Sequence, residues 1–312
     1  MSEKGMKHKD GGKRGIEVAL GGPSVVVDQV TKIYKSTASG PEVWTAASPL
    51  ARVGNKIFRR PFKTTVKSVD NVTLVARAGE SIGLLGANGA GKSTLLRLIA
   101  GSEMPTSGEI LARSQPTLLG VNAALVPSLS GLRNIELGCL AVGLTPEETR
   151  EVTPRIVELT GIGDAVERPM ETYSSGMASR LRFAINVVVK PDILLIDEAL
   201  GTGDAAFATK SEEIIAEIRR DAGTIFLVSH AAQTIEEMCT RAVWMHEGRI
   251  ISDGPAYETA RRYRLWAHRV ATGETEAAAR MLAEEMENTA HTEVIYDTGL
   301  SPSVEHTAPR SR

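Results

Sequence analysis

Cysteine is almost missing from this 312-residue chain: Cys139 and Cys239 are the only two, a hundred residues apart. That excludes a disulfide framework and suits a reduced compartment, and both thiols read as core residues rather than redox or metal groups. Aromatic residues make up only 4%, so a core has to rest on Ala, Val, Leu and Ile. With 42% hydrophobic residues there is enough apolar material for one large domain or two small ones. No run of about 20 apolar residues exists, so no transmembrane helix is expected. The N-terminus, rich in Lys and Gly, lacks the apolar stretch of a secretory signal and reads as a disordered arm. The chain is therefore expected in the cytosol unless a partner holds it at a membrane. Net charge is only −2, without the global basic field of a nucleic-acid binder. Internal repeats are lacking too.

What the chain does have is a phosphate loop. Gly86-Ala87-Asn88-Gly89-Ala90-Gly91-Lys92-Ser93-Thr94 fits G-x-x-x-x-G-K-[ST], between Ser81–Leu85, which reads as a buried strand, and a helix from Leu95 to Ala100. Glycines let backbone N–H groups turn toward a nucleotide's phosphates, and the helix N-terminus adds partial positive charge. Lys92 is expected to reach the β- and γ-phosphates, and the Ser93 hydroxyl to be a Mg²⁺ ligand.

Other apolar segments place polar groups at their ends. Ile193-Leu194-Leu195-Ile196 is a buried strand stopping at Asp197 and Glu198. Asp197 would hold Mg²⁺, usually through water, and Glu198 would act as general base on the attacking water. Phe226-Leu227-Val228 leads into Ser229 and His230. A lone His at a strand end is usually structural, although one beside a nucleotide could touch its γ-phosphate. Tyr173-Ser174-Ser175-Gly176-Met177 precedes a helix and could form an anion site or merely a cap.

Elsewhere the pattern predicts strands over Ser24–Tyr34 and Ser68–Ala78, a strand pair around a turn over Gly108–Leu119, and a helix over Thr145–Leu159 opened by Thr145-Pro146-Glu147-Glu148. It also predicts a helix over Ser211–Arg219, a strand over Thr224–Val228, a hairpin over Trp244–Ile251 turning at Glu247-Gly248, and a helix over Ala277–Met286. Strands alternating with helices argue an α/β fold with a mostly parallel sheet, the phosphate loop lying at the carboxyl end of its strand.

Phosphate loop, Tyr-Ser-Ser-Gly-Met, Leu-Leu-Ile-Asp-Glu and Ser-His stand in the order found in ATP-binding cassette (ABC) ATPases, and the resemblance runs from about Val25 to Trp266. The Tyr173–Met177 variant and Ala199-Leu200-Gly201-Thr202-Gly203-Asp204 resemble the branch serving bacterial exporters of teichoic acids, O-antigens, capsules and wall galactans. The resemblance implies a P-loop fold with an antiparallel β subdomain and a helical subdomain. It implies two copies dimerising head to tail around two ATP molecules, each ATP lying between the phosphate loop of one copy and Ser174, Ser175 and Gly176 of the other. Asp204 would lie in the loop crossing between copies, Tyr34 would stack on adenine, and His230 would sense the γ-phosphate. Two copies of a membrane permease, a lipid-linked glycan as cargo, and a place at the cytoplasmic face of the cell membrane are implied as well, with no nucleic acid. Most cassettes carry a Gln where this chain has Val121; Asn122 beside it has a shorter side chain.

These readings divide the chain into an arm (1–23), an ABC ATPase domain (24–266) with an insert (35–67) and a helical subdomain (about 122–185), and a C-terminal helix with a polar tail (267–312). The insert is basic, and Leu50, Val53, Ile57 and Phe58 fall on one helical face, as a helix at an anionic membrane requires; a solvated loop packing its aromatics on the core is the other reading. The residues after Trp266 are too few and too polar for the glycan-binding β-sandwich, about 100 residues long, that some of these exporters carry. The competing functions are another ABC transporter, or an ABC ATPase acting on ribosomes or DNA. A single cassette without a heptad run argues against the latter.

Overall fold

The computed structural model describes residues 22–38, 62–119, 125–188, 190–197, 213–218, 223–229, 231–288, 292 and 294. In chain order the strands are β1 (Pro23–Ala38), β2 (Phe62–Arg77), β3 (Ser81–Leu85), β4 (Ser107–Ala112), β5 (Thr117–Leu119), β6 (Ile193–Asp197), β7 (Thr224–Val228), β8 (Arg241–His246) and β9 (Arg249–Pro255). The helices are α1 (Lys92–Ile99), α2 (Gly131–Ala141), α3 (Pro146–Thr160), α4 (Ser175–Val188), α5 (Ala232–Met238), α6 (Ala256–Ala271) and α7 (Thr275–Asn288), with a further helical stretch at 213–218.

Two sheets organise these elements. β2, β1 and β4 form an antiparallel sheet in that order. The larger sheet runs β5-β6-β7-β3-β8-β9, parallel from β5 to β8, with β9 antiparallel on the edge. Its inner strands are short and apolar throughout, as strands covered on both faces must be; Ile193–Ile196 and Thr224–Val228 are fully buried. α1 fills the space between the sheets with Leu95, Leu96, Leu98 and Ile99. On the other side of the larger sheet, Phe183, Ile218, Trp244, Trp266 and Met281 make a second core. A third core, built on Ile135, Cys139, Ile156, Leu181 and Ile185, holds α2, α3 and α4 together. Burial there pushes the Cys139 thiol up to about 11, the inert state expected of a core cysteine.

Local chemistry sets several boundaries. α3 opens on a capping box in which Thr145 and Glu148 satisfy each other's backbone N–H groups, with Pro146 in the first turn. The imperfect alternation of β2 has a cause in register slips, close to Gln29 and Asn71 with φ of 47° and 52°.

The structure corrects four expectations. Residues 108–119 are not a hairpin: β4 pairs with β1 while β5 pairs with β6, so the two strands belong to different sheets. The break assigned to residues 35–67 is narrower, because β1 and β2 stay paired out to Ala38 and Phe62; the stretch proposed as a basic helix lies almost wholly outside the described residues. A boundary after Trp266 cuts α6, and α6 and α7 both pack on the second core, so they extend the domain rather than trail it. The helix after the phosphate loop starts at Lys92, not Leu95. No described helix is long and apolar enough to cross a membrane.

Arg241 ties the two sheets together. Its guanidinium donates to Asp253 Oδ1 and Oδ2 at 2.6 Å each and to the Val75 carbonyl at 2.9 Å, and it approaches Glu80 at 3.2 Å. Arg241→Met should destabilise the fold by about 3 kcal/mol, because it leaves two largely buried carboxylates without their cation. The midpoint of urea unfolding measures this, and an unchanged midpoint would rule it out.

Candidate active site

β3 is the central strand of the larger sheet, flanked by β7 and β8. The chain leaves its carboxyl end through residues 86–91 and enters α1 at Lys92. Glycine is required at both ends of that loop. Gly86 has φ of 148°, and a β-carbon there would lie 2.4 Å from the Met245 carbonyl oxygen; at Gly91, φ is 100° and the β-carbon would lie 2.2 Å from the Ser68 carbonyl oxygen. Backbone this close admits no side chain.

The loop presents an uncompensated positive end. Gly91 caps α1 without a side-chain hydrogen bond, and the first turn holds no acidic residue. The initial N–H groups of a helix have no intrahelical partner, so this end favours an anion. Lys92 is buried, its ammonium donating to the carbonyls of Gly86 at 2.6 Å and Ala87 at 3.0 Å. A cavity of about 310 Å³ opens over the loop, lined by Ser68, Asn88, Gly89, Ala90, Gly91, Lys92, Ser93, Thr94 and Val228.

β6 lies two strands from β3, and it delivers Asp197 to this cavity's edge: the Ser93 hydroxyl donates to Asp197 Oδ1 at 3.2 Å. A hydroxyl and a carboxylate facing each other beside a phosphate site are hard oxygen donors of the kind Mg²⁺ takes together with substrate phosphates. The residues present therefore fit that ion.

Not every candidate is brought to the cavity. Tyr34 is not in its wall: its hydroxyl donates to Glu103, beyond the far end of α1, and the Lys32 ammonium stands 5.2 Å from its ring centre. Ser174 and Ser175 are exposed at the start of α4 and Gly176 is half-buried; Ser174 Oγ accepts the Met177 N–H at 3.2 Å. Within one copy these three residues do not line the cavity either. Glu198, Asp204 and His230 lie outside the described residues, as do Val121 and Asn122.

Ser68 was missed in the sequence. It lines the cavity from β2, and its hydroxyl shares a 2.8 Å hydrogen bond with Thr94 Oγ1. Nothing around Ser68 in the chain signals this, since the contact is made by tertiary packing across 26 positions.

Residues 69–201 match the family model described as ABC transporter. A teichoic acids export ATP-binding protein of Staphylococcus haemolyticus is 36% identical over 240 residues, covering 77% of this chain and 88% of that protein. The chain belongs to the ABC transporter family. A Bacillus cereus protein with the same description is 41% identical over 199 residues, covering 64% of this chain but only 36% of that longer protein. Among solved structures, an ATP binding subunit of an ABC transporter aligns with a TM-score of 0.60 at 22% identity, over 85% of this chain and all of that one. An ATP-binding cassette dimer in a post-hydrolysis state with ADP and phosphate aligns with a TM-score of 0.59 at 20% identity, over 74% of this chain and 98% of that one. At such identities the likeness shows the fold: an ABC cassette in which the antiparallel sheet, the mixed sheet and the helical layer take their expected places. The cavity lined by residues 88–94 lies within the stretch that matches this family model.

Proposed function

We propose that this chain is the ATP-hydrolysing subunit of an exporter that moves a lipid-linked cell-surface polysaccharide, working as a pair of copies with two copies of a membrane permease. The observation that carries the catalytic half is that Lys92 and Ser93 line one cavity at the carboxyl ends of the parallel strands, with Asp197 hydrogen-bonded to Ser93. The cargo half is supported by the relatives described as teichoic acids export ATP-binding proteins. A permease partner would also hold a chain without a described membrane-spanning helix at the cytoplasmic face.

Each residue then has a task. Lys92 would leave the Gly86 and Ala87 carbonyls for the β- and γ-phosphates of ATP. The backbone of Asn88 to Thr94, with the positive end of α1, would cradle those phosphates. Ser93 would hold Mg²⁺ directly and Asp197 through water. When bound, that ion neutralises charge on the phosphates. Glu198 would take the proton of the attacking water, with His230 at the γ-phosphate. Tyr34 would give up its present partners to stack on adenine. The exposure of Ser174 and Ser175 suits a surface completed by a second copy, whose Ser174, Ser175 and Gly176 would close over the nucleotide. Asp204 would lie at that junction. ATP would then act as a ligand that binds the closed pair best, and its loss would reopen the pair.

Affinity purification of the tagged chain bearing Glu198→Gln, from detergent-solubilised membranes with ATP present, tests the assignment. An integral membrane protein and a polyprenyl-linked glycan should co-purify. Recovery of ribosomes or DNA-repair proteins without a membrane partner would overturn the transport reading and leave the ATPase intact.

A further inference from the structure

The phosphate loop does not stand alone; three backbones interlock behind it. The Gly248 N–H, in the turn between β8 and β9, donates to the Ala90 carbonyl of the loop at 3.1 Å. The Gly248 carbonyl accepts the Asp70 N–H of β2 at 2.9 Å. Gly248 has φ of 81°, and a β-carbon there would lie 3.0 Å from the Ser68 carbonyl oxygen. The same Ser68 oxygen excludes a side chain at Gly91, and Ser68 Oγ meets Thr94 across the cavity wall. Loop, β2 and turn are therefore tied to one another through Gly248 and Ser68.

The Asp70 carboxylate locks this assembly from outside. Lys67 Nζ reaches Oδ1 at 2.9 Å, and Arg249 reaches Oδ2 through Nε at 2.8 Å and Nη2 at 2.7 Å. Lys67 first and Arg249 second hold its carboxyl below the usual carboxylate range. Arg249 follows Gly248 directly, so the fork onto Asp70 closes a ring with the backbone bond from Asp70 to Gly248. β2 in turn runs from Asp70 back to Phe62, with one register shift between Val69 and Lys67, and pairs with β1 as far as Ala38.

We infer that Asp70 is a positioning residue that couples the far end of the β1–β2 hairpin to the phosphate loop, so that displacement of the hairpin changes nucleotide affinity and nucleotide binding moves the hairpin. The reciprocity is required by linkage. The geometry supplies the path: hairpin to Asp70, the Asp70 carboxylate to Arg249, and the adjoining Gly248 to Ala90. The inference rests on the loop being the nucleotide site.

Two measurements on the full-length chain test it. First, Asp70→Ala should weaken MgATP binding about fivefold, leaving kcat at saturating ATP within about twofold. Asp70→Glu should restore affinity, and Asp70→Ala with Arg249→Ala should bind no more weakly than Asp70→Ala alone, since both break one link. The gap between wild type and Asp70→Ala should narrow at high salt, which screens exposed pairs. Second, a fluorophore on Val66→Cys, an exposed position of β2, should respond to MgATP in the wild-type background and lose that response with Asp70→Ala. The native Cys139 and Cys239 are buried, so labelling is selective. Wild-type affinity in Asp70→Ala, additive losses in the double variant, or a label response that survives Asp70→Ala would each overturn the coupling. Failure of the wild type itself to bind MgATP, or binding undiminished by Lys92→Ala, would instead overturn the site assignment.

Discussion

Glu198→Gln should lower steady-state ATP hydrolysis about a thousandfold while leaving ATP affinity within about twofold of wild type. Ile193 to Ile196 are fully buried between β5 and β7, so the strand end is held rigidly at the cavity. Asp197 is already committed to the Ser93 hydroxyl. Glu198 follows Asp197 directly in the chain and is the proposed general base. Glutamine keeps the size and hydrogen-bonding capacity of glutamate but cannot take up a proton from water, so nucleotide binding survives and bond cleavage does not. A phosphate-release assay beside a fluorescent-nucleotide titration separates the two. Asp197→Asn should behave differently, raising the Mg²⁺ concentration needed for half-maximal activity, because it weakens one of the two proposed donors. If Glu198→Gln kept more than a tenth of wild-type activity, the base would have to be sought elsewhere.

The phosphate loop was legible because its chemistry is local. Glycines with positive φ, a lysine and a hydroxyl must follow one another in a row, and here Gly86 and Gly91 have positive φ while Lys92 and Ser93 open α1 in the cavity wall. The inner strands were legible for a related reason, since burial on both faces leaves a continuous apolar run. Contacts made at a distance in the chain were not. β4 and β5 are separated by four residues yet serve different sheets, and no local pattern distinguishes that from a hairpin. The persistence of β1 and β2 beyond Tyr34 and before Ser68 was hidden because residues 35–38 and 62–67 are mostly polar and show no clear apolar alternation, while the pairing of the two strands is a contact made across the chain. Ser68 and Asp70 escaped notice because a serine and an aspartate on a strand edge gain meaning only when Thr94, Gly248 and Arg249 arrive from elsewhere. The roles of Ser174, Ser175 and Gly176 stand in a third class: their motif is readable, but the surface it completes would belong to a second copy.

Lys92→Ala should abolish hydrolysis, by at least about a thousandfold, and weaken MgATP binding by about tenfold or more, without lowering thermal stability. The dissociation between function and stability follows from where the lysine sits. Its ammonium is buried against the carbonyls of Gly86 and Ala87. Neutral carbonyl dipoles compensate a desolvated charge less well than water or an anion does. Removing the charge relieves that desolvation cost as the hydrogen bonds to Gly86 and Ala87 and the other contacts of Lys92 are lost, so the unfolding midpoint should stay close to that of wild type. With ATP bound the balance reverses, because phosphate oxygens offer the full negative charge that the carbonyls lack, and the same desolvation that is costly without nucleotide strengthens the attraction. Lys92→Arg should rescue little, since the planar guanidinium is larger than the buried ammonium and cannot present a point charge at the same place. Calorimetric unfolding of wild type and Lys92→Ala, each with and without MgATP, reads both halves at once. Wild type should gain stability on ligand addition and the variant should gain far less. A variant that unfolded well below wild type without nucleotide would show that Lys92 props the loop structurally, and its loss of activity could then no longer be assigned to the phosphates.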